Sequence, residues 1–397
     1  MADIGGELLW PGDGRADDVF TDASFLAAMV RFEQAWLDGL AAAGLAPGSV
    51  ALVAPALADI AADAESGGNP VIPLVKELRK QSVDVHRGLT SQDVVDTALV
   101  LCVRDALDRV LADGERAART LGRLARAHRA TVMAGRTLTQ LAVPITFGLK
   151  AATWLAGLTD AIVELRRARE ELPIQIGGAA GTLAAVVELA RDNDDPVGTA
   201  AALARDVAHR LDLQGGTPWH TRRTPLTAAA DALVALSDAW GHMAGDIALL
   251  SRSEIGELRE GAGGGSSTMP GKANPVLSIL LRRHALAAPS LAATLHVAAA
   301  TYVDERPDGG WHAEWDTLRL LARRSVVAAS QAADLVAGLV VDTVAMAERV
   351  ASDARTLTAE QRSIAGSAAE DPAAYLGATD LVIDNIFERA ARVWSNL

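Results

Sequence analysis

The feature that most constrains this chain is its helical periodicity. Apolar residues recur at spacings of three and four, the repeat of one helix face, over most of the 397 residues. Several of these stretches are longer than usual globular helices, which indicates an elongated bundle whose apolar faces are also buried between subunits. Strand-like runs are few and short, so the sequence predicts an all-α fold. The helical stretches are 25–45, 93–112, 115–132, 146–170, 225–258, 275–303 and 317–341.

Charge and composition limit the partners of the chain. The net charge of −13 argues against nucleic acid or an anionic membrane as a partner, so an anionic ligand needs a local basic pocket. Cys102 is the only cysteine, which excludes an intramolecular disulfide and a thiolate metal cluster. The first residues lack a secretory signal pattern, and the most apolar stretch, 284–303, contains Pro289, which favours a buried helix over a membrane span. We therefore expect a cytoplasmic protein.

Three segments interrupt the helical pattern with loop chemistry, and each lies next to the start of a long helix. The first segment is 68–93, the second segment is 135–148 and the third segment is 260–275. We predict three domains, with boundaries after the first segment and where a more polar tail begins. These are an N-terminal helical domain at 1–110, a central long-helix bundle at 111–340 and a short C-terminal helical domain at 341–397.

The third segment, EGAGGGSSTMPGKANP, has the chemistry of an anion site. It fails as a phosphate-binding P-loop, because Ser266 stands where the first glycine belongs and Ala273 where the hydroxyl belongs. A polar helical end precedes it instead of a strand, which argues against a dinucleotide fingerprint. Asn274 and Pro275 suit the start of the next helix, so we expect free backbone N–H groups and Lys272 to hold a carboxylate or phosphate. The glycines suit a lid, and an ordinary mobile loop is the alternative.

The other two segments carry polar side chains near helix starts. Thr90 and Asp93 have the spacing of a capping box before an apolar helix, and Ser91 follows Thr90 directly. This places a second helix N-terminus with hydrogen-bond donors beside the first segment. Taken alone, a simple helix cap explains these residues better than a ligand site does. The second segment contributes Gln140 and two threonines near Pro144.

Together, in this order and spacing, the three segments resemble the fumarase/aspartase superfamily. Residues 265–275 match its signature G-S-S-x-M-P-x-K-x-N-P at every fixed position. The stretch 90–98 is similar to its first shared region and 135–148 to its second. Within the superfamily, three further stretches look most like bacterial 3-carboxy-cis,cis-muconate cycloisomerases. They are NPVIPLVKEL at 69–78, GGWHAEW at 309–315 and DPAAYLGATD at 371–380.

The resemblance implies a mostly helical, three-domain subunit in a homotetramer, with each active site assembled from three subunits. It also implies a small polycarboxylate substrate, and neither a metal nor a cofactor. By the match, Ser266 is the base that removes a proton from carbon, and Lys272 and Asn274 bind a substrate carboxylate. The further substrate-binding residues expected are His86, Thr90, Ser91, Gln140, Met269 and His312.

The sequence departs from the family pattern on the acid side of the reaction. Most members of the superfamily carry a histidine at the place of Leu138, and cycloisomerases often carry one at the place of Leu141. A carboxylate leaving group departs without protonation, whereas an amine or hydroxide leaving group usually requires an acid. The chain therefore suits a cycloisomerase, or elimination of another stable anion such as nitrite. The histidines that could replace the acid are His86, His128, His220 and His312, with His86 the best placed because it precedes Thr90 in the first segment.

Two other functions stay open at this point. One is a lyase of the same superfamily that releases fumarate or a related diacid from a substituted succinate such as adenylosuccinate, argininosuccinate or nitrosuccinate. The other is a catalytically silent structural homologue, since the superfamily includes lens proteins. The intact Ser266, Lys272 and Asn274 argue for an active enzyme.

Overall fold

The computed structural model describes residues 8–261, 264–265, 268–269 and 271–394. No helix among them is long and apolar enough to cross a membrane. In chain order the helices are α1 (Asp22–Ala42), α2 (Leu57–Gly67), α3 (Val71–Leu78), α4 (Ser91–Ala127), α5 (Phe147–Glu170), α6 (Ala184–Leu189), α7 (Pro196–Arg210), α8 (Thr224–Leu250), α9 (Val276–Ala300), α10 (Gly309–Ala337), α11 (Thr343–Ser352), α12 (Ala354–Leu357), α13 (Ala359–Ala365) and α14 (Thr379–Val393).

The described strands form two small antiparallel sheets. The strands are β1 (Val132–Thr137), β2 (Gln140–Thr146), β3 (Leu258–Glu260) and β4 (Leu339–Val341). β1 pairs with β2 as a hairpin, and β3 pairs with β4. Helices dominate the rest of the described chain, so the all-α prediction is confirmed. The hairpin corrects one detail, because the second segment, read as loop chemistry, is mostly paired strand.

The chain divides into two compact units. Unit 1 comprises the residues up to Arg109, Leu165–Leu233 and Pro289–Val326, and unit 2 comprises Val110–Glu164, Val234–Ala288 and Val327–Leu397. Each boundary between them falls within one of the helices α4, α5, α8, α9 and α10. The three-domain division stays a prediction from sequence.

Helix α1 in unit 1 shows how local sequence sets an element. Thr21 caps its N-terminus, with the side-chain oxygen accepting a hydrogen bond from the backbone N–H of Ser24 at 3.1 Å. Phe32, Trp36 and Leu40 follow at a spacing of four and are fully buried. The same buried face carries a charged residue, Glu33, which is also fully buried.

A buried ion network joins three helices of unit 1. Arg223, directly before α8, bonds Asp96 of α4 at 2.6 Å and Glu314 of α10 at 2.7 Å, and all three side chains are at most 1% exposed. The indole N–H of Trp311 donates to Asp96 at 2.8 Å. One guanidinium thus serves two carboxylates, and burial raises the pKa of the Glu314 carboxyl. Such a network holds the three helices in one register.

Removing one member of this network should destabilise unit 1. Asp96→Ala leaves Arg223 with one carboxylate and Trp311 without its acceptor, so we expect the free energy of unfolding to fall by about 3–5 kcal/mol, the usual cost of breaking a buried ion pair. Urea unfolding followed by circular dichroism measures it. Glu188→Ala, which removes an exposed partner of Arg191, is the control and should leave the midpoint unchanged. Equal midpoints for the two variants would contradict the role of the network.

Candidate active site

The first segment is organised by the carboxylate of Asp93. The backbone N–H of Thr90 donates to Asp93 Oδ2 at 3.0 Å, so this half of the predicted capping box is confirmed. Asp93 is fully buried and also accepts from the backbone N–H groups of Gly177 at 2.9 Å and Gly178 at 3.0 Å. A carboxylate with several donors is the form in which a buried charge is tolerated. Asp93 therefore fixes the loop at 177–178 next to the start of α4.

Gln175 and His220 complete this cluster in unit 1. Gln175 Oε1 accepts from the backbone N–H of Trp219 at 2.7 Å. This contact orients the Gln175 amide group with its nitrogen pointing away from the Trp219 backbone. That nitrogen lies 3.0 Å from both Asp93 Oδ1 and His220 Nε2. A methyl group in place of the Gly177 hydrogen would come within 2.4 Å of the His220 ring. His220, one of the possible replacement acids, is thus 4% exposed and held on Nε2 by a structural network.

Thr90 brings a cation into the site. Its hydroxyl accepts a hydrogen bond from the guanidinium of Arg306, which lies in the loop between α9 and α10. Within the described residues, Arg306 is half-buried and has no carboxylate partner. Because its guanidinium is bonded only to a neutral hydroxyl, Arg306 is able to form an ion pair with a ligand carboxylate. Sequence reasoning missed Arg306, although it lies three residues before the GGWHAEW stretch that carries part of the family resemblance.

His86 and Ser91 flank Thr90. His86 Nδ1 lies 2.6 Å from Glu33 Oε1, and the backbone of His86 has a φ of 64°, a left-handed conformation uncommon for a residue with a side chain. Ser91 is the first residue of α4, and its hydroxyl makes no hydrogen bond to another described residue. Both side chains belong to unit 1, as the first-segment prediction requires.

His312 lies on the exposed face of α10. Its ring is flanked by Trp311 and Trp315, with ring centroids 5.3 and 4.7 Å away. Its Nε2 lies 2.8 Å from the backbone oxygen of Gly68, and because a carbonyl oxygen can only accept, Nε2 is the donor. His312 therefore joins α10 to the beginning of the first segment, and its contact with substrate stays a prediction.

The second segment projects two residues from the turn of its hairpin. Leu138 and Thr139 both have positive φ, 49° and 71°, as a two-residue type I′ turn requires, although glycine and asparagine are the residues that favour it. Leu138 is 96% exposed. Gln140 opens β2 opposite Thr137 and is exposed, and its amide donates to the Thr139 hydroxyl at 3.3 Å. The tip thus presents an apolar side chain beside an amide.

An ion pair close to the turn fixes the hairpin within unit 2. Both guanidinium nitrogens of Arg136 bond the carboxylate of Glu257, at 3.0 and 2.8 Å, and the Glu257 side chain is fully buried. The register of β1 shifts in a bulge between Ala134 and Arg136. Glycine is required at position 135 of the bulge, because a Cβ atom there would lie 2.6 Å from the Val143 carbonyl oxygen. Glu257 directly precedes β3, so this ion pair ties the second segment to the start of the third.

The third segment is closed at its base by backbone pairing. Gly264 and Asn274 exchange N–H···O bonds of 3.1 and 2.8 Å, and the Asn274 amide lies 3.5 Å from the Gly265 oxygen. Lys272 is exposed and has no ion pair with a described residue, and Met269 is 51% exposed. Ser266, predicted as the base, lies outside the described residues.

The start of α9 corrects the prediction of free backbone donors. The N–H groups of Leu277 and Ser278 donate to the carboxylate of Glu260, at 3.0 and 2.8 Å, and the Ser278 hydroxyl donates to it at 2.6 Å. The N–H of Val276 donates to the Asn274 oxygen. The positive end of α9 is thus already occupied by an internal anion. A ligand carboxylate near this segment must instead be held by side chains such as Lys272.

The predicted substrate-binding residues divide between the two units. Unit 1 holds His86, Thr90, Ser91 and His312, and unit 2 holds Gln140, Met269, Lys272 and Asn274. Each unit also contributes a cation with no carboxylate partner among the described residues, Arg306 in unit 1 and Lys272 in unit 2. Each unit by itself thus carries hydroxyl or amide groups and a cation that can bind a carboxylate.

Known proteins are similar to this chain both in sequence and in fold. A family model described as lyase matches residues 48–288. A nitrosuccinate lyase of Streptomyces davaonensis is 44% identical over 342 residues, covering 81% of this chain and 72% of that protein. A 3-carboxy-cis,cis-muconate cycloisomerase of Bradyrhizobium diazoefficiens is 38% identical over 439 residues, covering 94% and 95%. The solved 3-carboxy-cis,cis-muconate lactonizing enzyme from Pseudomonas putida matches with a TM-score of 0.78 at 31% identity, covering 95% of this chain and 97% of that chain.

The chain belongs to the lyase family of the fumarase/aspartase superfamily. The resemblance drawn from the three segments is therefore confirmed, and the chain is an enzyme of that superfamily. Its relatives include both cycloisomerases and lyases, so the reaction itself has to be argued from the site.

The carboxylate of Glu260 should be required for the stability of unit 2. Glu260→Gln keeps the shape but places an amide among three donors and removes the charge at the helix start, so we expect the free energy of unfolding to fall by about 2 kcal/mol. Chemical unfolding gives the value. Glu254→Gln, an exposed residue paired with Arg252, is the matched control in the same unit. A Glu260→Gln protein as stable as this control would show that the start of α9 does not depend on the internal anion.

Proposed function

We propose that the chain is a cofactor-free cycloisomerase that interconverts 3-carboxy-cis,cis-muconate and carboxymuconolactone. The observation that carries the proposal is the hairpin tip, where the exposed Leu138 offers no proton donor. Opening a lactone releases a carboxylate, which departs without protonation, so this reaction does not need an acid at that place. The cycloisomerase relative, which aligns along nearly the whole chain, supports the same choice.

In this proposal Ser266 removes the proton alpha to a carboxylate, and its oxygen keeps that proton. The electron pair moves into the carboxylate to give a dianionic aci-carboxylate, then returns to form the carbon–carbon double bond as the lactone carbon–oxygen bond breaks. The released oxygen becomes a carboxylate, and the reverse sequence closes the ring. Donors and cations must stand where the negative charge develops. Lys272, Asn274 and Arg306 supply them, with hydroxyl and amide donors from Thr90, Ser91 and Gln140.

A serine is a weak base at its ordinary pKa, so its alkoxide must be stabilised. Backbone N–H groups and a nearby cation in a closed loop that excludes water would do this. The backbone pairing of Gly264 with Asn274 brings the two ends of the third segment together, and Lys272 lies inside the segment so closed. This arrangement supports Ser266 as the base.

The direct test is the ultraviolet absorbance of 3-carboxy-cis,cis-muconate, which should fall on adding the enzyme and be unaffected by a chelator. Ser266→Ala should reduce kcat by at least about a thousandfold with the fold retained. Ser267→Ala removes the neighbouring hydroxyl and should keep most of the activity. Loss in Ser267→Ala with retention in Ser266→Ala would move the base to the second serine, and no change of absorbance with the native protein would contradict the cycloisomerase.

A second candidate is a lyase that converts nitrosuccinate into fumarate and nitrite. It is favoured by the 44% identity to a nitrosuccinate lyase over 81% of this chain. Nitrite is also a stable anion, so the apolar Leu138 fits this reaction too. Equal amounts of fumarate and nitrite formed from nitrosuccinate, with no turnover of the muconate, would select the lyase. Indifference of both assays to Ser266→Ala would point to a silent homologue.

We also propose a cytoplasmic homotetramer whose active sites are shared between subunits. Helix α9 supports association, because Ile279, Leu286 and Val297 are 50%, 80% and 66% exposed at spacings of seven and eleven residues along one side. An apolar stripe of this kind is costly in water and is covered when helices of neighbouring subunits pack. Sedimentation equilibrium should give four times the chain mass of 41.3 kDa. A monomer at micromolar concentration would contradict this assembly.

A further inference from the structure

We propose that Glu33 is a positioning residue that holds His86 as a hydrogen-bond donor for a carboxylate of the ligand. The inference rests on the proposed function, since it assigns a role to one residue of that site. Glu33 lies on α1, 53 residues before His86, and no sequence motif connects the two. Their contact is made only in the folded unit 1.

The geometry is that of a buried carboxylate paired with an imidazole. Glu33 Oε1 lies 2.6 Å from His86 Nδ1, and the Glu33 side chain is fully buried while that of His86 is 13% exposed. The second oxygen of Glu33, Oε2, is buried and has no hydrogen-bond partner among the described residues. Nδ1 of His86 is therefore the only hydrogen-bond partner of the Glu33 carboxyl group among the described residues.

The two arginines of the first segment are bonded to other groups. The guanidinium of Arg87 bonds Asp84 at 2.6 Å, and that of Arg79 donates to the Val85 backbone oxygen at 3.3 Å. A buried carboxylate oxygen needs a donor, and Nδ1 of His86 is the group within reach, so Nδ1–H donates to Glu33. Nε2, on the other side of the ring, has no partner among the described residues. A ligand carboxylate can only accept, so in the complex Nε2–H donates to it while Nδ1–H stays on Glu33.

The backbone is held so that this orientation persists. His86 has a φ of 64°, and a conformation of this kind survives only when its surroundings enforce it. Trp36, one helical turn after Glu33 on α1, donates its indole N–H to the backbone oxygen of Arg87 at 2.9 Å. Helix α1 thus fixes both the ring of His86 and the peptide that follows it. Strain enforced next to Thr90 is expected where a side chain must be aimed at a ligand.

The ligand class follows from the donors that the first segment collects. Thr90 lies four residues after His86 and is bonded to the guanidinium of Arg306. Nε2–H of His86 would therefore be a second donor for a ligand, besides Arg306. A carboxylate accepts from both kinds of donor. The geometry points to a small di- or tricarboxylate with one carboxylate held by His86, and Glu33 acts only through that residue.

The test separates binding from chemistry. Glu33→Gln keeps an oxygen that can accept from Nδ1 but removes the charge, so we expect KM for the turned-over polycarboxylate to rise about tenfold with kcat within about twofold. Glu33→Asp restores the charge at a greater distance and should recover part of the loss. The matched control is Asp231→Asn, which breaks an exposed pair with His296 in the same unit and should leave both constants unchanged.

A double-mutant cycle with His86→Gln decides whether Glu33 acts through His86. The double variant should then be no worse than His86→Gln alone. Additive losses would overturn the proposal, as would an unchanged KM in Glu33→Gln, or a fall in kcat with KM unchanged. Thermal melts identify folded variants, and if Glu33→Gln does not fold, the comparison of Glu33→Asp with His86→Gln carries the test.

Failure of the proposed function can be told apart from failure of this inference. If the native protein turns over neither the muconate nor nitrosuccinate, the proposed function fails. Binding of tricarballylate, a saturated tricarboxylate, is then measured by calorimetry. A Kd about tenfold higher in Glu33→Gln than in the native protein would still support the role of Glu33, whereas equal values or no binding to either would overturn it.

Discussion

The two loop systems of this enzyme depend on buried carboxylates that must find donors. Asp93 in unit 1 and Glu260 in unit 2 are each removed from water, and each recovers its solvation from backbone N–H groups of a neighbouring element. Asp93 draws the loop at 177–178 to the start of α4, and Glu260 holds the start of α9. Because a buried charge without hydrogen-bond donors is strongly destabilising, these carboxylates restrict the backbone conformations that the loops can adopt. These hydrogen bonds therefore also set the positions of the side chains that the loops carry.

Sequence patterns predicted the parts of the fold that depend on local repeats. The helices are visible in the spacing of apolar residues, and Thr90 and Asp93 were recognisable as a cap because they lie three residues apart. The resemblance to the superfamily rests on contiguous motifs and was confirmed. Contacts between distant residues left no such signal. Asp93 meets Gly177, and Arg306 meets Thr90, across 84 and 216 positions, so neither pairing could be read from spacing.

The errors were also physical in origin. The start of α9 was expected to hold a ligand because isolated helix N-termini attract anions, but Glu260 supplies that anion from within the chain. The second segment breaks the helical pattern and so predicts a loop, but it is a hairpin, whose turn residues Leu138 and Thr139 adopt positive φ without being glycine or asparagine. Its anchoring pair, Arg136 with Glu257, again joins residues far apart in sequence. Ser266 lies outside the described residues, so its role as base rests on the signature.

The central claim is that this site eliminates stable anions and does not protonate its leaving group. Succinates that differ only in the substituent on carbon 2 test it most directly. Initial rates of fumarate formation should be compared for nitrosuccinate and malate at saturating concentration and one pH, beside lactone opening of carboxymuconolactone. The account predicts turnover only where the leaving group is nitrite or carboxylate. Formation of fumarate from malate at a comparable rate would show that the leaving hydroxide is protonated in the site and would contradict the account.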